Sequence, residues 1–114
     1  MIAMTLVVLP TLVVASGGCD HASAPVGDCR AVRGRLSVTK GTPDVRIWPV
    51  GTKRLLGVSG LEEHPFVPDR LLAKIKATDA IFGDFVVCPL TPERPGEMQL
   101  VCVQSASNLV VRTP

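Results

Sequence analysis

The chain has 114 residues, with 12 Lys and Arg against 10 Asp and Glu, and a formal net charge of +2. So mild a charge predicts no nucleic-acid partner, because proteins that bind phosphate backbones concentrate many more basic residues. With 46% hydrophobic and 19% charged residues, the composition is that of one packed domain and excludes a disordered tail.

Residues 1–18 predict a signal peptide. The hydrophobic stretch from Ile2 to Ala15 is shorter than the about 20 residues of a membrane-spanning helix, and it runs into small residues. Cys19 follows directly, as in a bacterial lipoprotein signal, where such a cysteine is lipidated. Two interpretations stay open: lipidation of Cys19, or ordinary cleavage near 15–17 that releases a soluble protein. Either predicts an exported protein, periplasmic or anchored to the membrane by lipid, in preference to a buried N-terminal element of a cytosolic protein.

Residues 19–28 are small and polar, with one Pro and one Gly, and predict a tether. Residues 29–114 then form a single β-rich domain. Within it, residues 32–58 predict three consecutive antiparallel strands.

Two turns, at 40–43 and 50–53, set the register of these three strands. The first turn places Leu36 opposite Ile47 and Val38 opposite Val45. The second places Ile47 opposite Leu56, Val45 opposite Val58 and Trp48 opposite Leu55. Because both turns are placed independently and agree, we expect one shared apolar face made of Val45, Ile47, Leu56 and Val58.

The remaining elements are a helix and further strands. Residues 68–77 predict a short helix with Pro68 in its first turn and Asp69 at the positive end of its dipole. Residues 80–90 predict a strand with a bulge or bend at Gly83, and residues 98–104 another that resumes at 109–112. This order predicts a mainly β fold, a five-stranded antiparallel OB-like barrel with one short helix between strands 3 and 4, or else an open sheet.

Four cysteines allow three pairings if all are oxidised. A hairpin centred on Pro95 sets Cys88 opposite Cys102, and the oxidising compartment favours a Cys88–Cys102 disulfide. If Cys19 carries lipid, Cys29 is left free or takes Cys88 or Cys102 as its partner. If Cys19 carries none, a Cys19–Cys29 disulfide is the obvious second bridge.

Catalysis has little support in the sequence. The two histidines, His21 and His64, have no partner at metal-ligand spacing, and no CxxC, GxSxG, P-loop or GxGxxG motif occurs. Glu62, Glu63 and His64 are better explained as a solvated loop than as an acid–base site. We therefore expect no enzyme activity, no cofactor and no metal.

The outer face of the three strands offers a candidate binding surface. The predicted register places Arg33, Arg35, Arg46 and Trp48 on it. Basic side chains around an aromatic ring attract anionic or ring-bearing ligands, and OB-like barrels bind oligosaccharides and oligonucleotides on a comparable surface. The alternative interpretation is an ordinary solvated sheet face. We choose Arg35, Arg46 and Trp48 as the predicted contact residues.

Two long segments carry a resemblance. RGRLSVTKGTPDVRIWPVGTKRLLGV and FGDFVVCPLTPERPGEMQLVCVQSASNLVV are similar to a family of small uncharacterised exported bacterial proteins, over about Cys29 to Arg112. The resemblance implies one exported domain and no particular activity.

The sequence therefore predicts an exported or lipid-anchored envelope protein that acts as a non-catalytic binding or structural module. Its expected partners are an envelope polymer, a glycan or another protein, with the membrane reached through an N-terminal lipid. The alternative is a thiol-active periplasmic protein that uses Cys29 with Cys88 or Cys102.

Overall fold

The structure is a computed structural model that describes residues 15–61, 64–78 and 80–112. Most of the predicted signal peptide lies outside the described residues. The strands are β1 Ala15–Ser16, β2 Arg30–Val38, β3 Val45–Pro49, β4 Leu56–Val58, β5 Gly60–Leu61, β6 His64–Pro65, β7 Ala80–Pro89 and β8 Gln99–Arg112, and the helix α1 is Asp69–Ile75.

Five of these strands close into a barrel. The sheet runs in the order β8, β4, β3, β2, β7, and β7 pairs with β8 to close it. The predicted OB-like barrel and its single short helix between the third and fourth barrel strands are confirmed. One pair differs from the antiparallel expectation, since β4 and β8 are parallel. The chain passes from β4 to β7 through α1, and β8 then runs beside β4 in the same direction. This parallel pair and the pair of β7 with β8 close the barrel, so the barrel has no unpaired strand edge.

The predicted register of the three-stranded meander is confirmed at three pairs. Leu36 is paired with Ile47 and Val38 with Val45, and Ile47 with Leu56. The apolar face made of Val45, Ile47, Leu56 and Val58 lies inside the barrel, with no more than 3% of any of these residues exposed. The alternation of apolar and polar residues therefore sets which side of β2 and β3 faces the core.

The helix is shorter than predicted but lies at the predicted place. It begins after Pro68 and carries Asp69 in its first turn and Lys74 in its last, where each charge complements the helix dipole. Leu71 and Ile75 are buried in the barrel core. A helix of this length depends on such packing for its stability.

The last strand is continuous, although two separate strands were predicted. β8 runs through residues 105–108, which the Ser and Asn content had suggested as an interruption. The register shifts between Phe82 and Asp84, and Asn108 has a positive φ of 51°. The predicted irregularity at Gly83 is thus confirmed as a bulge, where Leu109 and the Ser107 carbonyl leave no room for a Cβ atom.

The N-terminal segment, which comprises residues 15–29, packs on the barrel. Ala15 and Ser16 pair with β8, the Gly17 amide donates to the Gln104 carbonyl at 2.9 Å, and the Val26 amide donates to the Pro89 carbonyl at 2.8 Å. Residues 20–28 are mostly exposed, but both ends of this predicted tether are attached to the barrel. Among the residues described, no helix has the length and apolar character needed to cross a membrane.

Candidate functional site

A straight row of side chains crosses the outer surface of four strands. Trp48 of β3 is paired with Arg35 of β2, Arg35 with Phe82 of β7, and Phe82 with Val110 of β8. Each residue is exposed or half-buried, whereas its strand neighbours Ile47, Leu36 and Ile81 are fully buried. The ladder therefore places Arg35 between Trp48 and Phe82 on the outer surface of the barrel. We call Trp48, Arg35, Phe82 and Val110 the outer row.

Arg35 is in neither of the ion pairs found between described residues, and an acidic residue on the adjacent strand is already engaged. Asp84 lies two residues beyond Phe82 on the same strand, but it is engaged by Arg33 at 3.6 Å and by the Asn108 amide at 2.8 Å. An exposed cation without an acidic partner is available to a ligand anion.

The indole of Trp48 is held by its own turn. Its Nε1–H donates to the Thr52 carbonyl at 2.6 Å, and the Thr52 hydroxyl donates to the Pro49 carbonyl at 2.9 Å. The residue is still 44% exposed. A ring that is fixed before a ligand arrives loses little side-chain entropy on binding.

The second predicted arginine is turned toward the loop between β2 and β3. Arg46 lies on the outer face two residues before Trp48, but its Nε–H donates to the Pro43 carbonyl at 3.1 Å. Its guanidinium also covers Gly41, where a Cβ atom would collide with it. Arg46 is therefore half-buried and braces the 39–44 loop beside the outer row. Of the three predicted contact residues, only Arg35 and Trp48 lie side by side.

The end of the barrel beyond Trp48 has a shallow groove. It has a volume of about 440 Å³ and lies between residues 53–55 and 93–98. Its lining carries both signs of charge, and Arg54 forms an ion pair with Glu93 across it. In OB-like barrels the face of the second and third strands and the adjoining loops bind ligands, and here those strands are β3 and β4. The groove thus extends the candidate surface at that end.

The cysteines pair differently from the prediction. Cys88 and Cys102 are opposite each other on β7 and β8, as expected. The disulfides, however, are Cys19–Cys102 and Cys29–Cys88. The predicted Cys88–Cys102 and Cys19–Cys29 bridges are not formed here, whereas the alternative in which Cys29 takes Cys88 as its partner is confirmed. The reason is that the N-terminal segment, which the sequence predicts to be a tether, lies against the barrel and brings its own two cysteines to the opposed pair.

This pairing also bears on lipidation and on a free Cys29. The sulfur of Cys19 is bonded to Cys102, and a sulfur in a disulfide cannot also carry a thioether-linked lipid. Lipidation of Cys19 and the Cys19–Cys102 disulfide are therefore alternatives, and lipidation stays a prediction. A free Cys29 is not found, and no described cysteine is unpaired.

The four sulfurs nevertheless form a compact cluster. The Sγ atoms of Cys19, Cys88 and Cys102 all lie within 4.8 Å of one another, and Cys29 is bonded to Cys88. Metal binding requires thiolates, which these oxidised sulfurs do not offer. The cluster brings two disulfides into contact.

Of the candidate residues Glu62, Glu63 and His64, only His64 lies among the described residues. His64 is exposed in the short ribbon of β5 and β6, where Leu61 is its ladder partner. Glu62 and Glu63 lie outside the described residues.

Sequence reasoning missed Phe82 and Val110. Alternation over 80–90 could have placed Phe82 on the outer face, but the pairing of β7 with β2 depends on how the barrel closes. Comparison with protein-family models, curated proteins and solved structures finds no match to the chain.

Proposed function

We propose that this chain is an exported, non-catalytic binding module whose outer row holds an acidic polysaccharide of the cell envelope. The observation that carries the proposal is the position of Arg35 between Trp48 and Phe82 on the barrel surface. The two disulfides support export, because such bonds persist mainly in oxidising compartments.

A carboxylated sugar matches the chemistry of this row. The Arg35 guanidinium can donate two hydrogen bonds to a carboxylate in a bidentate pair, and the flat face of Trp48 can support the neighbouring sugar ring. Successive strands lie about 4.8 Å apart, so the row alternates charge and aromatic surface at close to the spacing of one sugar unit. A linear polymer could therefore run across the strands.

Two further arginines beside the outer row favour an anionic ligand over a neutral one. Arg112 lies over the Phe82 ring at 5.7 Å and adds a second cation beside the row. Arg46 adds a third at the far end, next to the 39–44 loop. Attraction by such exposed charges is screened by salt, so binding should weaken as ionic strength rises.

Trp48 allows a direct test, since it is the only Trp and the chain has no Tyr. We expect polygalacturonate, a linear uronic-acid polymer, to change the intensity or wavelength of Trp48 fluorescence in a saturable way at low salt. Dextran, a neutral polymer, serves as the control.

Three outcomes of this titration contradict the proposal. One is no change with polygalacturonate, a second is an equal change with dextran, and a third is a response that salt does not alter. A response to a protein fraction but to neither polymer would also replace the polysaccharide with a protein partner.

A further inference from the structure

We propose that the four cysteines form a thiol–disulfide exchange site that converts the present pairing into Cys88–Cys102 and Cys19–Cys29. The basis is that the Sγ atoms of Cys19, Cys88 and Cys102 lie within 4.8 Å of one another although they belong to two different disulfides. The co-reactant is a small thiol or a protein dithiol. This inference does not depend on the ligand of the outer row.

The exposure of the four cysteines determines which sulfur an external thiol can reach. Cys88 and Cys102 are 2% and 0% exposed, Cys19 is half-buried, and Cys29 is exposed. The first step is attack of an external thiolate on the Cys29 sulfur. A mixed disulfide forms at Cys29, the Cys29–Cys88 bond breaks, and its electron pair leaves on the Cys88 sulfur.

The Cys88 thiolate is then formed next to the second disulfide. Cys88 is the direct ladder partner of Cys102, and the Cys102 sulfur already lies 3.7 Å from the Cys88 carbonyl oxygen. Cys88 attacks the Cys102 sulfur, the Cys88–Cys102 bond forms, and the Cys19–Cys102 bond breaks with its electron pair on Cys19. Because both strands are held in the barrel, this step moves only side chains and the N-terminal segment.

The last step returns the external thiol. Cys19 and Cys29 belong to the same short N-terminal segment, so loop closure between them has a low entropic cost. Cys19 attacks the Cys29 sulfur of the mixed disulfide, and the external thiolate leaves. No net oxidation or reduction takes place.

The consequence is the loss of both covalent links between the N-terminal segment and the barrel. In the present pairing both disulfides connect this segment to the barrel, with sequence separations of 83 and 59 residues. In the exchanged pairing one disulfide lies within the segment and the other within the barrel. Non-covalent contacts alone then hold the segment in place, namely the pairing of β1 with β8 and hydrogen bonds such as those of the Gly17 and Val26 amides.

The test uses the Cys29→Ser variant, which begins with Cys88 as a thiol beside the intact second disulfide. After incubation at mildly alkaline pH without added thiol, free thiols are blocked with N-ethylmaleimide. Digestion with Glu-C, which cuts after Glu97, separates Cys88 from Cys102. We expect most of the label on Cys19 and a Cys88–Cys102 linked peptide.

The control is the double variant Cys29→Ser, Cys88→Ala, which has the second disulfide and no attacking thiol. It should retain Cys19–Cys102 and take up no label. Label that stays on Cys88 in the single variant, with circular dichroism unchanged, would overturn the proposal. Label on Cys102 would overturn the assigned order of attack.

Discussion

Arg35 and Trp48 are direct ladder partners on the outer surface of β2 and β3, and no ion pair between described residues occupies Arg35. Beyond Arg35 in the same line lies Phe82. The ladder pairing therefore arranges these basic and aromatic residues in one line across the strands. It also identifies the side chain whose loss should matter most for binding.

Arg35→Gln should weaken polygalacturonate binding about tenfold, because a hydrogen bond to a charged group contributes about 1.5 kcal/mol or more. Trp48 fluorescence titration at low salt provides the measurement. Arg70→Gln is the matched control, since Arg70 is an exposed arginine that lies on α1 and not on a strand of the outer row. Equal affinities for the two variants would show that general positive charge, and not the outer row, holds the polymer.

Ile47→Ala should destabilise the domain by about 2–5 kcal/mol, since it leaves a cavity at a position with no exposed surface. Chemical denaturation followed by circular dichroism measures the change. Val110→Ala is the control, because Val110 is 56% exposed and its loss should change the free energy of unfolding by about 0.5 kcal/mol or less. If both variants lose the same amount, the barrel core described here is wrong.

Gly18→Ala should displace the N-terminal segment locally from β8, although both disulfides still connect it to the barrel. A Cβ atom at Gly18 would collide with the Val103 carbonyl oxygen and lie 2.8 Å from Pro68, so the backbone must move. We expect a loss of about 1–3 kcal/mol and faster hydrogen exchange at the Gly17 amide.

Gly27 lies in the same segment, and a Cβ atom there would contact only Pro89, at an ordinary distance of 3.4 Å. Gly27→Ala is therefore the control. It should leave hydrogen exchange at Gly17 unchanged. A Gly18→Ala variant with native exchange and native stability would contradict the packing of this segment on β8.

Removal of the Cys19–Cys102 disulfide in a Cys19→Ser, Cys102→Ala variant should cost about 3–5 kcal/mol, because the bridge closes a long loop in the unfolded chain. The Cys29→Ser, Cys88→Ala variant should lose nearly as much, since loop entropy depends only weakly on length. Thermal and urea unfolding of both variants beside the oxidised protein measures the loss. Unfolding transitions at native positions in both would show that neither disulfide stabilises the domain.

Much of the local architecture could be predicted from the residues alone. The alternation around Leu36 and Ile47, with turn residues between them, determines the register of β2 and β3, because a slip of one residue would turn the apolar side chains to solvent. The same reasoning located α1 and the irregularity at Gly83. Each depends on neighbours in sequence, for which periodicity and turn chemistry are sufficient.

Only the tertiary structure decided the long-range relationships. Closure of the barrel sets β4 parallel to β8 and brings Phe82 beside Arg35, and docking of the N-terminal segment gives Cys88 and Cys102 partners other than each other. Cys88 and Cys102 lie opposite each other on the hairpin whether they bond to each other or to other cysteines, so their spacing in the sequence does not reveal the pairing. Which sulfurs bond therefore depends on where distant segments pack, and hydrophobic periodicity carries no information about that.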